Sequence, residues 1–212
     1  MYILFRILRK NMLLATELKI LQVLFEDFTR QYTIREMALR LKSPYPQVHR
    51  GVQLLYKRGL VFKREQGKSC VLSLNFEKQC DEYILVELER RKVLLDKYSR
   101  LKLLSYDLER LPFMQYMCIL FGSYAAGKAT QGSDIDVLFV IPDTYDYATF
   151  EKMVRGVLTS SLVDMQITTE QGLVEMWNTA GKFNVGNELL KKHIVLYGAE
   201  AFLRLRRKWY GG

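Results

Sequence analysis

Residues 121–140 read FGSYAAGKATQGSDIDVLFV. An apolar run, QYMCILFG over 115–122, fits a buried strand and ends in Gly122-Ser123. A loop of small residues follows, and the chain returns as a second strand, SDIDVLFVI. At a strand's period of two, Asp134 and Asp136 point to one side while Ile135 and Val137 point to the other. Two like charges on one face repel, and burying them without a counter-charge is costly. Something positive is therefore expected beside them.

The residue types narrow what that is. Two carboxylates a pleat apart suit a hard divalent cation such as Mg²⁺, which takes oxygen ligands and bridges carboxylates to substrate phosphates. Glycine at 122 lets the backbone approach a ligand closely. Exposed N–H groups and the Ser123 hydroxyl can cradle phosphate oxygens, and Gly127 and Gly132 keep the loop free of bulk.

Gly-Ser, ten residues, then Asp-x-Asp closely resembles the signature of the DNA polymerase β-like nucleotidyltransferase superfamily, in its minimal nucleotidyltransferase branch. The resemblance runs from residue 115 to about 205 and includes HIVLYGAEAF (193–202), similar to that branch's closing segment. It implies a third carboxylate on a later strand. Asp143 and Asp146 flank the turn after Pro142 and are poorly placed. In SSLVDMQIT (160–168), Leu162, Asp164 and Gln166 share one face, so Asp164 can point as Asp134 and Asp136 do. The resemblance further implies a two-metal Mg²⁺ site on Asp134, Asp136 and Asp164, an NTP such as ATP held by Gly122, Ser123, Lys128 and Ser133, and transfer of AMP to a hydroxyl. Relatives often modify a HEPN-type toxin protein, so a protein acceptor is among the implied partners. One departure stands out: many relatives carry a cation in G-S-x-A-R-G, where this chain has Ala126, so either Lys128 supplies the charge or triphosphate is bound more weakly.

The rest of the 212-residue chain differs in character. Residues 1–110 hold 22 Lys/Arg against 13 Asp/Glu, whereas residues 111–212 hold 10 of each. A polyanion partner for the first half is the expectation. TELKILQVLFEDF (16–28) is amphipathic with Thr16 as its expected N-cap. Thr33 and Glu36 form a capping-box pattern at the head of TIREMALRLK (33–42). SPYP breaks the chain, and a third helix follows over about Tyr45–Arg58. LVFKREQGKSCVLSLNF then reads as a hairpin turning at Gly67.

Helix, helix, turn, helix, hairpin resembles a winged helix-turn-helix over about residues 12–76, and residues 30–68 carry ten Lys/Arg against two acids. The resemblance implies double-stranded DNA as partner, Gln47, His49, Arg50 and Gln53 in the major groove, and Arg64 and Lys68 on phosphate. A solvated basic face or a protein-docking module is the alternative.

Residues 77–111 lack Pro and Gly and carry strong helix formers. They read as one long connector helix with an apolar stripe, which either pairs with a second copy in a homodimer or packs on its own catalytic domain. The expected architecture is α+β in two domains: a winged helix-turn-helix (1–76), a helical connector (77–111) and a small mixed-sheet nucleotidyltransferase domain (112–212). No apolar run reaches the roughly 18 residues of a membrane span, no membrane partner is expected, and three unpatterned cysteines fit reduced thiols in the cytoplasm. Two functions compete with the enzyme: a DNA-binding regulator that only senses nucleotide, and a scaffold without chemistry.

Overall fold

The computed structural model describes residues 13–67, 69–78, 81–113, 115–179 and 184–211. They divide into two compact units, one running to Val86 and taking in Tyr210, the other spanning Glu87–Trp209.

In the first unit, α1 (Ala15–Glu26), α2 (Ile34–Arg40) and α3 (Tyr45–Lys57) accompany a sheet of β1 (Tyr32–Thr33), β2 (Val61–Gln66) and β3 (Ser69–Leu74), ordered β1-β3-β2 and antiparallel throughout. The expected N-cap of α1 is corrected: Leu14 occupies that position, and its N–H donates to Glu17 Oε2 at 2.6 Å. Thr16 instead accepts a hydrogen bond from Gln47. The Thr33 capping box forms as expected, with Glu36 N–H donating to Thr33 Oγ1 and Thr33 N–H donating to Glu36 Oε2. Proline stands in the first turn of α3, where a missing N–H costs nothing. Val48, Val52 and Leu55 turn inward on α3, and a Cβ on Gly51 would stand 2.9 Å from Ile20, so glycine sets the close approach of α1 and α3. The hairpin turns at Gly67, φ +60°, with Gln66 paired to Ser69.

The connector is not one helix. It divides into α4 (Asp81–Lys97) and α5 (Ser99–Glu109), with Tyr98 in an extended conformation between them. Arg91 donates to Ser105 Oγ at 2.5 Å, a contact that two residues 14 apart on a straight helix cannot make. The break follows from burial: Leu94, Leu101, Leu104 and Leu108 all enter the core beneath the second sheet, and a straight rod would leave half of that stripe in water. From Glu87 on, the connector belongs to the second unit and its leucines pack on that unit's core, whereas residues up to Val86 belong to the first.

That sheet is mixed and ordered β6-β5-β4-β7, from β4 (Met117–Leu120), β5 (Ile135–Ile141), β6 (Val163–Thr169) and β7 (Ile194–Tyr197). A single helical turn, α6 (Gly122–Ala125), lies between β4 and β5. β4 runs antiparallel to both neighbours, whereas β5 and β6 run parallel, joined by the crossover helix α7 (Tyr147–Val157). Ile135, Val137, Phe139 and Ile141 face the core shared with Phe150 and Val154 of α7. Three helices follow β6: α8 (Glu170–Asn178), α9 (Val185–Lys191) and, after β7, α10 (Ala199–Tyr210).

A buried polar clamp ties α4 to β7. Glu87, fully buried, accepts from Val195 N–H at 2.8 Å and pairs with Arg90, whose other terminal nitrogen donates to the His193 carbonyl at 2.7 Å. No described helix is long and apolar enough to cross a membrane.

Candidate active site

The turn at Gly122 is built by two independent restrictions. Its φ is +63°, the left-handed region that side chains resist, and a Cβ there would lie 2.0 Å from Asp136 Oδ2. Glycine is therefore what allows the loop to rest on the carboxylate. Phe121 N–H donates to the Asp136 carbonyl at 3.0 Å, fixing the loop's entry to the strand. After the turn, Lys128 N–H closes back on the Ser123 carbonyl at 2.9 Å.

β5 begins at Ile135, so Asp134 sits just ahead of the strand rather than within it, exposed. Ile135 N–H donates to the Leu162 carbonyl, just ahead of β6. Parallel pairing then sets Asp136 directly opposite Asp164. Val163, Met165 and Ile167 pack against the core, which leaves Asp164 and Gln166 exposed on the alternate face of an edge strand. Partial burial, then the charges of Asp164 and Asp134, push the Asp136 carboxyl above the ordinary aspartate range. The backbone N–H of Ser123, donating to that carboxyl, opposes the rise.

Among the described residues none of the three aspartates forms an ion pair. Nor, among those residues, are three carboxylate, imidazole or thiolate groups already closed to metal-ligand spacing. The donor set still fits a hard divalent cation: it is all-oxygen, and its members repel one another in the absence of a positive partner.

The other sequence-derived candidates fare unevenly. Ser133 Oγ accepts from Thr130 N–H at 2.9 Å, so it is engaged in closing the loop. Lys128 is exposed. Asp146 caps α7 through Thr149 N–H, and Asp143 accepts from Gln171 N–H, both beyond the far end of β5.

In the first unit, His49 and Gln53 line a groove of about 1130 Å³, together with Arg35, Lys42, Lys63 and Tyr45. Lys63 Nζ donates to Gln53 Oε1 at 3.3 Å, and His49 stacks on Tyr45. Arg50 and Arg64 are exposed but do not line this groove, and Gln47 turns toward Thr16. Lys68 lies outside the described residues. Sequence reasoning passed over Arg35, Lys42 and Lys63; the density of cations in 30–68 was the available signal, but which of them share a groove depends on how α2 and β2 meet α3.

Residues 101–196 match the family described as nucleotidyltransferase domain. The stretch contains the Gly122 turn, both strands and all three aspartates, and the chain is a nucleotidyltransferase enzyme with its acceptor unassigned. No curated protein and no solved structure matches the chain significantly.

Proposed function

We propose that the domain moves AMP from ATP to a hydroxyl acceptor, the new O–P bond at the α-phosphorus replacing the α–β phosphoanhydride bond and pyrophosphate leaving, with Asp134, Asp136 and Asp164 holding divalent metal. The observation that carries this reading is the Asp136–Asp164 register pair set against the Gly122-Ser123 turn. The metal, when bound, supplies neutralisation of the triphosphate and of the attacking and departing oxygens. The Ser123 hydroxyl and the Lys128 ammonium bind the distal phosphates. Asp164, exposed on its edge strand, accepts the proton of the incoming hydroxyl. Asp136, held by the Ser123 N–H, keeps its carboxylate aimed at the turn.

The test is label transfer. Protein, Mg²⁺ and ATP labelled at the α-phosphate are incubated with host extract, beside an Asp134→Asn/Asp136→Asn control. A labelled species absent from the control identifies the acceptor, a HEPN-type protein being one candidate. Absence of any transfer, with Mg²⁺-ATP still bound, overturns the enzymatic reading for nucleotide sensing.

A second role is supported by the basic groove on the first unit. In this reading that unit is a winged helix binding double-stranded DNA, in the cytoplasm, with α3 presented to the major groove. A second copy of the chain suits a two-fold operator. Both roles coexist where DNA binding governs the enzyme's expression.

A further inference from the structure

The first half of the nucleotide loop is closed by its own backbone, Ala126 N–H on the Gly122 carbonyl and Lys128 N–H on the Ser123 carbonyl, with Tyr124 buried; residues 127–132 have fewer such ties. A Cβ at Gly127 or Gly132 would meet nothing within 4 Å, and the Thr130–Ser133 pair closes only four residues. Its Lys128 side chain is exposed, and Ala126 brings no charge. That second half is gripped from outside, at the break between α4 and α5. Lys97, the last residue of α4, donates from Nζ to the Gly127 carbonyl at 3.4 Å. Arg100, in the first turn of α5, donates to the Gln131 carbonyl at 2.5 Å. Between them Tyr98 meets Tyr124 edge-on, centroids 5.0 Å apart. These groups and the loop line an open surface pocket of about 370 Å³.

Arg100 violates a local rule. A cation in the first turn of a helix faces the positive end of the helix dipole, and α5 has no acidic residue there to offset it. Local rules broken without local gain tend to mark function. The Tyr98 break, which burial explains, places one cation on each side of the corner. Both cations also precede residue 101, where the family match begins.

We infer that Lys97 and Arg100 are positioning residues for nucleotide transfer: they strap the 122–133 loop into its phosphate-binding shape through the Gly127 and Gln131 carbonyls. The inference rests on the nucleotidyltransferase reading above. Strapping by charge-assisted hydrogen bonds stiffens the loop before nucleotide arrives, so the effect falls on binding of the distal phosphates rather than on the chemical step.

The experiment uses the full chain, with KM for ATP, kcat, and dissociation constants for AMP and a non-hydrolysable ATP analogue. Lys97→Ala and Arg100→Ala are each expected to raise KM for ATP about tenfold, and the double variant about a hundredfold. The expected kcat stays within about threefold and AMP affinity is nearly unchanged. Lys97→Arg restores the wild-type KM. Unchanged KM in the double variant overturns the inference. So does a loss shared equally by AMP and the analogue and left unrescued by Lys97→Arg, which is the mark of a merely structural role. Wild-type protein that binds neither nucleotide removes the enzymatic reading and the inference with it. Wild-type protein that binds and transfers, alongside unaffected variants, sinks the strap alone.

Discussion

Gly122→Ala isolates the feature on which the site depends. An alanine methyl would stand 2.0 Å from Asp136 Oδ2 and 2.9 Å from its Cγ, where real Cβ atoms essentially never come. Relief requires the carboxylate to retreat by about 1 Å or more. A reacting group misplaced by about 1 Å costs on the order of a hundredfold in rate. The left-handed φ of +63° adds about 1–2 kcal/mol of strain to the folded state. Two other glycines separate these effects. Gly127 shares the positive φ, +70°, but its Cβ would meet open space, so Gly127→Ala is expected to lose about 1 kcal/mol of stability and little activity. Gly132 carries neither restriction, and Gly132→Ala is expected to behave as wild type. The assay is single-turnover transfer from α-labelled ATP, with urea midpoints measured on the same three variants. Gly122→Ala within threefold of wild-type rate, or an equal rate loss in Gly127→Ala, would refute the claim that glycine is needed for the Asp136 contact.

Asp136→Asn is expected to abolish metal-dependent transfer while leaving the urea midpoint equal or higher, since it removes a partly buried charge repelled by Asp164 and Asp134; a large stability loss would mean the carboxylate is structural. Arg35→Ala/Lys63→Ala is expected to weaken duplex DNA binding and lower the salt slope by about two without changing transfer, read by fluorescence anisotropy across a salt series. Loss of transfer alongside DNA affinity would count against independent roles. His193 is fully buried, and that burial, with Arg90 beside it, holds its imidazole well below the ordinary histidine range despite Glu87 Oε1 at 4.0 Å. Its folded form therefore stays neutral while the unfolded chain takes up a proton. Stability is complete above the ordinary histidine pKa and falls by about 1.4 kcal/mol per pH unit below it, until the depressed folded value is reached. Urea unfolding from pH 7.5 to 5 measures this, and His193→Gln is expected to flatten the curve.

The elements whose causes are local were legible in the chain. The capping box at Thr33 needs only Glu36, the turn at Gly67 needs only a glycine between two alternating runs, and the alternation in SDIDVLFV and LVDMQIT assigns faces within each strand. Even there, edges slipped: Thr16 lost the N-cap to Leu14 because Glu17 reaches back to its N–H, and Asp134 fell just outside β5.

Which face of its own element each strand residue occupies could be read from the chain alone, because periodicity and turn geometry are set by residues a few positions apart. Who meets whom was settled by the packed fold. The crossover through α7 that pairs β5 and β6 in parallel is what brings Asp136 opposite Asp164, from 28 positions away in the chain. Burial of Leu94 and Leu101 on one core is what breaks an otherwise unbroken helical pattern at Tyr98 and delivers Lys97 and Arg100 to a loop some thirty residues distant. Helix propensity over 77–111 favours continuity by fractions of a kcal/mol per residue, whereas burying a leucine side chain is worth about 2 kcal/mol. Burial is the stronger of the two, and it comes from contacts that no local window contains.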